Sequence, residues 1–208
     1  MDYLQQLIER YPGLITLRSG INEAFNIITA SFNQGGKLLI AGNGGSAADA
    51  EHITGELMKN FILKRKLPES FTDMLKGYDP DLTKYLAANL QPGLPAISLS
   101  GHYSLSTACI NDIDANIIFA QQIYGYGKKE DVFLAISTSG NSKNILYATV
   151  TAKAKKMKVI ALSGFDGGKL KSLADVSIII PEHETYKIQE LHLPVYHQIC
   201  LMLEDHFF

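Results

Sequence analysis

The sequence lacks the usual features of secreted, membrane-spanning and nucleic-acid-binding proteins. Its two cysteines, Cys109 and Cys200, have neither CxxC nor metal-ligand spacing, which predicts buried free thiols in a reducing compartment. No apolar run approaches the ~18 residues of a transmembrane helix, and the first residues lack a basic segment followed by an apolar one. The formal net charge is −2, so no basic field favours nucleic acid or an anionic membrane. We therefore expect a cytoplasmic protein that holds any anionic ligand through local donors.

The sequence also lacks low-complexity linkers and clear internal repeats, so residues 1–208 are most simply explained as one domain. It has N-terminal helices within 1–34 and an irregular segment at about 64–94. Short apolar runs separated by helical patterns predict parallel strands at 37–41, 95–99, 132–136, 158–162 and 176–180. This alternation predicts an α/β fold, a three-layer αβα sandwich on a five-stranded parallel sheet, with ligands at the carboxyl ends of the strands.

Two of these strands end in turns rich in glycine and serine that lead into helices. The turns are Gly42-Asn43-Gly44-Gly45-Ser46 and Ser137-Thr138-Ser139-Gly140-Asn141-Ser142. Unpaired backbone N–H groups, the helix dipole and the hydroxyl donors together favour an anion such as phosphate at a turn of this kind. The alternative interpretation is that Ser142 is only a helix N-cap in an ordinary loop.

Two helices carry side chains that can move protons or bind a metal. His52 and Glu56 lie four residues apart and therefore share one helix face, while Gln189 and His197 lie on the last helix. Such groups can act as general base and acid, or they can hold a divalent metal such as zinc. The alternatives are a solvated ion pair for His52 and Glu56 and a structural role for the histidines. We expect Glu204-Asp205 to be a solvated helix end.

Six motifs occur in a fixed order along the chain. They are the two turns described above, His52-x3-Glu56, Asn111-Asp112, Gly164-x-Asp166-Gly167-Gly168 and Ile188-Gln189-Glu190-x-His192. Together they closely resemble the sugar isomerase (SIS) domain family and, within it, the phosphoheptose isomerases. The resemblance extends from about Leu14 to Leu203, except for residues 64–94. A single glycine turn would be weak evidence, whereas six motifs in order are specific.

The resemblance implies a flavodoxin-like SIS fold, a homotetramer and an aldose–ketose isomerase that converts sedoheptulose 7-phosphate to D-glycero-D-manno-heptose 7-phosphate. It implies a phosphorylated sugar as the partner, with no nucleotide or redox cofactor. Position by position, it assigns catalysis to Glu56 and His197, and zinc binding to His52, Glu56, Gln189 and His197. It assigns substrate binding to Asn43, Gly44, Gly45, Glu56, Asn111, Asp112, Ser137, Thr138, Ser139, Ser142 and Gln189.

The sequence departs from this family in two places. Roughly two dozen extra residues within 64–94 join the helix of His52 and Glu56 to the next strand, either as a surface decoration or oligomer contact or as a lid that alters the substrate. Lys187 stands where the family has an arginine, which keeps the charge but loses the bidentate geometry.

Two other functions remain alternatives. One is a non-catalytic partner protein, similar to the family member that binds the bacterial replication initiator as a tetramer. That relative lacks the residues matching Glu56 and His197, so their presence here favours an enzyme. The other is a phosphosugar-sensing module of the kind found in transcriptional regulators, but residues 1–34 leave little room for a DNA-binding domain. A variant of the isomerase interpretation is an isomerase or binder of another phosphosugar.

Overall fold

A computed structural model describes residues 2–208, and its centre is one sheet of five parallel strands. The strands are β1 (Leu38–Ala41), β2 (Ala96–Ser98), β3 (Val132–Ser137), β4 (Lys158–Gly164) and β5 (Val176–Ile180). Their order in the sheet is β2-β1-β3-β4-β5. Leu38 pairs with both Ala96 and Val132, so β1 lies between β2 and β3, and β3 is the central strand. The predicted strands agree with these bounds to within one or two residues.

Ten α-helices surround the sheet in the described part of the chain. They are α1 (Tyr3–Arg10), α2 (Arg18–Asn33), α3 (Gly45–Met58), α4 (Glu69–Leu75), α5 (Pro80–Asn89), α6 (Tyr103–Asp112), α7 (Ile118–Tyr126), α8 (Lys143–Ala154), α9 (Gly168–Leu173) and α10 (Thr185–Phe207). Short 3₁₀ turns lie at Pro12–Leu17, Leu99–Gly101 and Ala115–Ile117. No helix among residues 2–208 has both the length and the apolar character needed to cross a membrane.

The core has two layers because successive strand residues face opposite sides of the sheet. On β1, Leu38 and Ile40 face the layer formed with α2, α3 and α10, whereas Leu39 and Ala41 face the layer formed with α7, α8 and α9. Both faces of the strand are therefore apolar, which explains the continuous apolar run in its sequence. This arrangement confirms the predicted α/β sandwich. Both cysteines are buried free thiols, as predicted.

Residues 64–94 contain α4 and α5, and neither helix has a buried residue. The base of the segment is instead held by an ion pair between Arg65 and Glu204, whose side chains are both fully buried. Glu204 also accepts hydrogen bonds from the backbone N–H groups of residues 61–63, at 2.7 to 3.1 Å. Arg65 donates to the carbonyl oxygens of Leu57 and Glu56 at the end of α3. The prediction that Glu204 belongs to a solvated helix end was therefore wrong.

Candidate functional site

A cavity of about 260 Å³ lies where the two predicted turns meet at the carboxyl ends of β1 and β3. Because these strands pair in parallel, the turns that follow them lie side by side, and α3 and α8 begin there. The cavity therefore faces two helix N-termini, which favours an anion. Its lining residues are Asn43, Gly44, Gly45, Ser46, Ile136, Ser137, Thr138, Ser142, Thr185 and Gln189.

The glycine turn is shaped by backbone geometry and by the approach of α10. Gly44 has a φ of +54°, a conformation that glycine adopts without strain. A Cβ at Gly45 would come within 2.8 Å of Gln189 Nε2, so glycine at this position lets α10 reach the cavity. The side chain of Asn43 forms two hydrogen bonds with that of Asn144, at 3.0 and 2.8 Å. Asn144, which the sequence did not single out, thus joins the two turns.

The serine turn presents hydroxyl groups to the cavity. Ser142 occupies the N-cap position of α8 but makes no side-chain capping bond; its Oγ accepts a hydrogen bond from Ser137 Oγ at 3.1 Å. The N-cap alternative therefore does not explain this side chain. Ser139 is placed differently, because it lines a separate cavity of about 450 Å³ with Asn141, Phe165, Asp166 and His183.

A second group of predicted residues converges where α3 packs against α10. His52 Nε2 lies 3.3 Å from Glu56 Oε1, and Lys59 Nζ lies 3.2 Å from Glu56 Oε2. The rings of His52 and His197 are nearly perpendicular, with centroids 5.0 Å apart. Only 14% of the Glu56 side chain is exposed, so the pair is more than a solvated surface contact.

The environment of His197 favours a neutral imidazole. Burial lowers its pKa, and the nearby His52 lowers it further. Its Nε2 atom is buried and has no hydrogen-bond partner among the described residues. A buried nitrogen without a partner is available to accept a proton or to bind a ligand.

Two residues that the sequence did not single out lie behind His52. The hydroxyl group of Tyr196 donates to Asp49 Oδ1 at 3.2 Å and lies 3.0 Å from His52 Nδ1. Asp49 precedes His52 by three residues, so helical spacing alone places them on one face. Nearby, His192 is fully buried, and its Nε2 lies 3.4 Å from the carbonyl oxygen of Ser163. Burial lowers the pKa of His192 to about 4.

The two groups lie along the same pair of helices. Gly45 and Thr185, at the starts of α3 and α10, both line the cavity. At 1.5 Å per helical residue, His52 and Glu56 lie roughly 10 to 16 Å along α3 from Gly45. The cavity and the group formed by His52, Glu56 and His197 thus lie apart from each other along the same two helices.

Asn111 and Asp112 are not brought to this cavity within one chain. They are exposed at the end of α6, where Asn111 Nδ2 donates to Asp112 Oδ1 at 2.8 Å. Gln189 lines the cavity, so within one chain it groups with the turns.

The donor atoms of the second group suit zinc in chemical type. Imidazole nitrogens and a carboxylate are common zinc ligands, and the unpartnered His197 Nε2 could serve as one. Among residues 2–208, however, no three His, Cys, Asp or Glu side chains are arranged to hold a metal ion as they stand. The chemistry of the residues therefore fits the metal, while their spacing in the single chain is wider than a closed site needs.

Comparison with known proteins places this arrangement in a family. A model of the SIS domain matches residues 2–84 and 83–164. The phosphoheptose isomerase of Helicobacter pylori strain P12 is 39% identical over 194 residues, which cover 93% of this chain and 88% of that protein. The phosphoheptose isomerase of Leptospira biflexa strain Patoc 1 / Ames is 38% identical over 195 residues, covering 94% and 88%.

Solved structures agree with the sequence comparison. The phosphoheptose isomerase of Neisseria gonorrhoeae superimposes with a TM-score of 0.73 at 31% identity and covers 97% of this chain and 91% of its own. The phosphoheptose isomerase of Francisella tularensis gives a TM-score of 0.75 at 30% identity, with 98% and 95% covered. The likeness therefore extends over nearly the whole chain in both sequence and fold.

Proposed function

Because this chain belongs to the SIS domain family, we propose that it is a phosphoheptose isomerase acting on sedoheptulose 7-phosphate. The observation that carries the proposal is the pairing of an anion cavity with a carboxylate–imidazole group along the same two helices. The substrate has its phosphate at one end and its carbonyl near the other. An enzyme for it needs an anion site and groups that can move protons, and both kinds of group lie along α3 and α10 here.

The cavity supplies the phosphate site. Ser137, Thr138 and Ser142 offer hydroxyl donors, and the start of α8 adds backbone N–H groups and a partial positive charge. We include Ser139 in the phosphate site, on the basis of its place in the family motif. Asn43, Gly44, Gly45 and Gln189 at the other wall would contact the sugar hydroxyls.

The carboxylate and the imidazole supply the proton transfers. In an aldose–ketose isomerisation, a base removes the C–H proton beside the carbonyl, and a second group moves a proton between the two oxygens through an enediol. Glu56 would take the first role and return the proton to the neighbouring carbon. His197 would take the second role, which suits an imidazole that burial keeps neutral.

We propose zinc as a cofactor, with His52, Glu56 and His197 as ligands from one group. Gln189, which lines the cavity in the single chain, is included as the fourth ligand on the basis of its place in the family motif. When bound there, zinc would act as a Lewis acid that polarises the substrate carbonyl. The support is the type of the donors and the unpartnered His197 Nε2. A carboxylate that holds a metal is a weaker base, so the two roles of Glu56 compete.

We propose a homotetramer, in which a neighbouring copy covers α6. This helix buries only Cys109, while Tyr103 is 79% and Ile113, directly after it, 64% exposed. Covering so apolar a face would be favourable, and it would bring Asn111 and Asp112 into an interface. Light scattering should then give a mass of about 92 kDa, four times the 22.9 kDa chain. A cytoplasmic location is also proposed, because both cysteines are free.

Replacement of the proposed base tests the reaction. Glu56→Gln keeps the size of the side chain but removes the basic oxygen, so turnover of sedoheptulose 7-phosphate should fall by at least ~10²-fold. Glu51→Gln, at an exposed position on the same helix, is the matched control and should leave turnover unchanged. Retained activity in a folded Glu56→Gln protein would remove Glu56 from the mechanism.

A further inference from the structure

A chain of three polar groups lies behind the face that His52 presents to Glu56. Tyr196 is almost fully buried, with 2% of its surface exposed. Its hydroxyl group lies between Asp49 Oδ1 at 3.2 Å and His52 Nδ1 at 3.0 Å. The Tyr196 hydroxyl therefore meets two groups on α3 and has one proton to give.

Counting the protons fixes the direction of the two bonds. Asp49 Oδ2 has no partner among the described residues, because the nearest imidazole nitrogen, His192 Nδ1, lies 4.0 Å away. When His192 Nε2 donates to the Ser163 carbonyl, His192 Nδ1 carries a lone pair and cannot donate to Asp49. Tyr196 is then the side chain that donates to the Asp49 carboxylate, and its oxygen is left to accept from His52 Nδ1–H.

We propose that Tyr196, backed by Asp49, is a positioning residue that holds His52 as its Nδ1–H tautomer and turns its Nε2 toward Glu56. The catalytic part of this inference rests on the proposed function, but the tautomer does not. In the neutral ring, Nε2 then carries a lone pair 3.3 Å from Glu56 Oε1, and two such acceptors attract each other only through a proton or a metal ion that lies between them. A hydrogen bond on one imidazole nitrogen commonly fixes which of the two nitrogens is free to act.

Exposure of His52 explains why such a support is needed. Its side chain is 42% exposed, so the surrounding packing encloses it only in part. The Tyr196 hydroxyl supplies the one hydrogen bond made by Nδ1. Without this bond, the ring can rotate and adopt the Nε2–H form. That form can donate a hydrogen bond to Glu56, which makes the carboxylate less available as the proposed base.

The alternative is that Tyr196 only fills space, since it is one of the largest fully buried side chains. Tyr196→Phe separates the two roles because it keeps the ring and removes the hydroxyl. In ¹⁵N-histidine-labelled protein at pH 8, with His52 assigned through His52→Gln, ring nitrogen shifts report the tautomer. We expect Nδ1–H in the parent chain and a shift toward Nε2–H in Tyr196→Phe. Tyr147→Phe, a half-exposed tyrosine on α8, is the control.

Kinetics and metal affinity provide the second readout. Loss of a supporting hydrogen bond to such a histidine typically costs about 10- to 100-fold in activity or metal affinity. We therefore expect a fall in kcat of that size with KM changed by less than about threefold, because Tyr196 is not proposed to touch the substrate. Competition with a chelator should show a matching loss in Zn²⁺ affinity.

Variants at Asp49 keep the inference testable if Tyr196→Phe does not fold. Asp49→Asn retains an oxygen for the Tyr196 hydroxyl and turns its amide toward His192 Nδ1, so it should preserve the tautomer, whereas Asp49→Ala should lose it. An unchanged tautomer in Tyr196→Phe or Asp49→Ala would overturn the proposal. An inactive parent chain with the Nδ1–H tautomer would instead overturn the proposed function alone.

Discussion

The buried pair of Arg65 and Glu204 gives the sharpest test of how the long segment is attached to the fold. Glu204 accepts hydrogen bonds from residues 61–63 and from Arg65 Nε, while Arg65 ties the carbonyl of Glu56 to the same cluster. The perturbation is Glu204→Gln, which keeps the shape, removes the charge and replaces one accepting oxygen with a donor.

The expected magnitude follows from the burial of both side chains. Removing one partner of a buried ion pair costs about 3–5 kcal/mol, because the other charge remains buried without compensation. For a chain of this size, each kcal/mol lowers Tm by about 2–4 °C, so the expected drop is roughly 6–20 °C. Glu190→Gln, an exposed position on the same helix, should change Tm by less than about 2 °C.

Thermal and urea unfolding would be measured for the parent chain and for the two glutamine variants. The same measurements on Arg65→Met, Glu204→Met and the double variant Arg65→Met/Glu204→Met complete a double-mutant cycle. The double variant should lose less free energy of unfolding than the sum of Arg65→Met and Glu204→Met, since no buried charge is left unpaired. Equal Tm values for Glu204→Gln and Glu190→Gln would show that the charge of Glu204 does not stabilise the fold. Additive losses in the cycle would refute the direct pairing.

The carboxylate of Glu204 also makes the free energy of unfolding depend on pH. Burial acts to raise the pKa of Glu204, but the N–H groups of residues 61–63 and Arg65 outweigh it and lower that pKa. The stabilisation is therefore complete above the ordinary glutamate pKa of about 4.3. It is lost as the pH falls through the lowered native pKa.

Three further predictions concern the anion cavity, the buried histidine and the long segment. Ser137→Ala combined with Ser142→Ala should raise KM for the phosphorylated sugar by about tenfold or more through lost phosphate donors, and an unchanged KM would argue against the cavity. His192 should make the folded state less stable as pH falls from 6.5 to about 4, because the unfolded chain binds the proton first; the loss is roughly 3 kcal/mol. His192→Gln should flatten this slope in urea unfolding at several pH values, and an identical slope would show that His192 is not buried as a neutral group. Replacing residues 69–91 with a short linker should leave cooperative unfolding intact, because neither α4 nor α5 has a buried residue. Global unfolding of the shortened chain would show that the core depends on these helices.

Much of the fold and the cavity could be predicted from sequence because local patterns determine them. The apolar runs that became β1 and β3 are buried on both faces, and parallel pairing places the turns after them side by side. The spacing of His52 and Glu56 likewise required only helical geometry.

Contacts between distant parts of the chain could not be predicted in this way. Glu204 looked solvated because its partners, residues 61–65, are far away in sequence. Tyr196 contacts Asp49 only because α10 packs on α3, and no periodic pattern in the sequence predicts that contact. The positions of Asn111 and Asp112 outside the cavity also depend on how α6 is placed, which their motif does not encode.

The proposed reaction is an isomerisation through an enediol with Glu56 as the base. The most direct measurement is NMR of sedoheptulose 7-phosphate incubated with the protein in D₂O, with zinc and with a chelator. We expect conversion to the aldose phosphate and its loss in Glu56→Gln, with solvent deuterium entering the carbon beside the carbonyl to the extent that the proton held by Glu56 exchanges before it is returned. Conversion that survives in Glu56→Gln, or a bound but unconverted substrate under every condition, would contradict this mechanism.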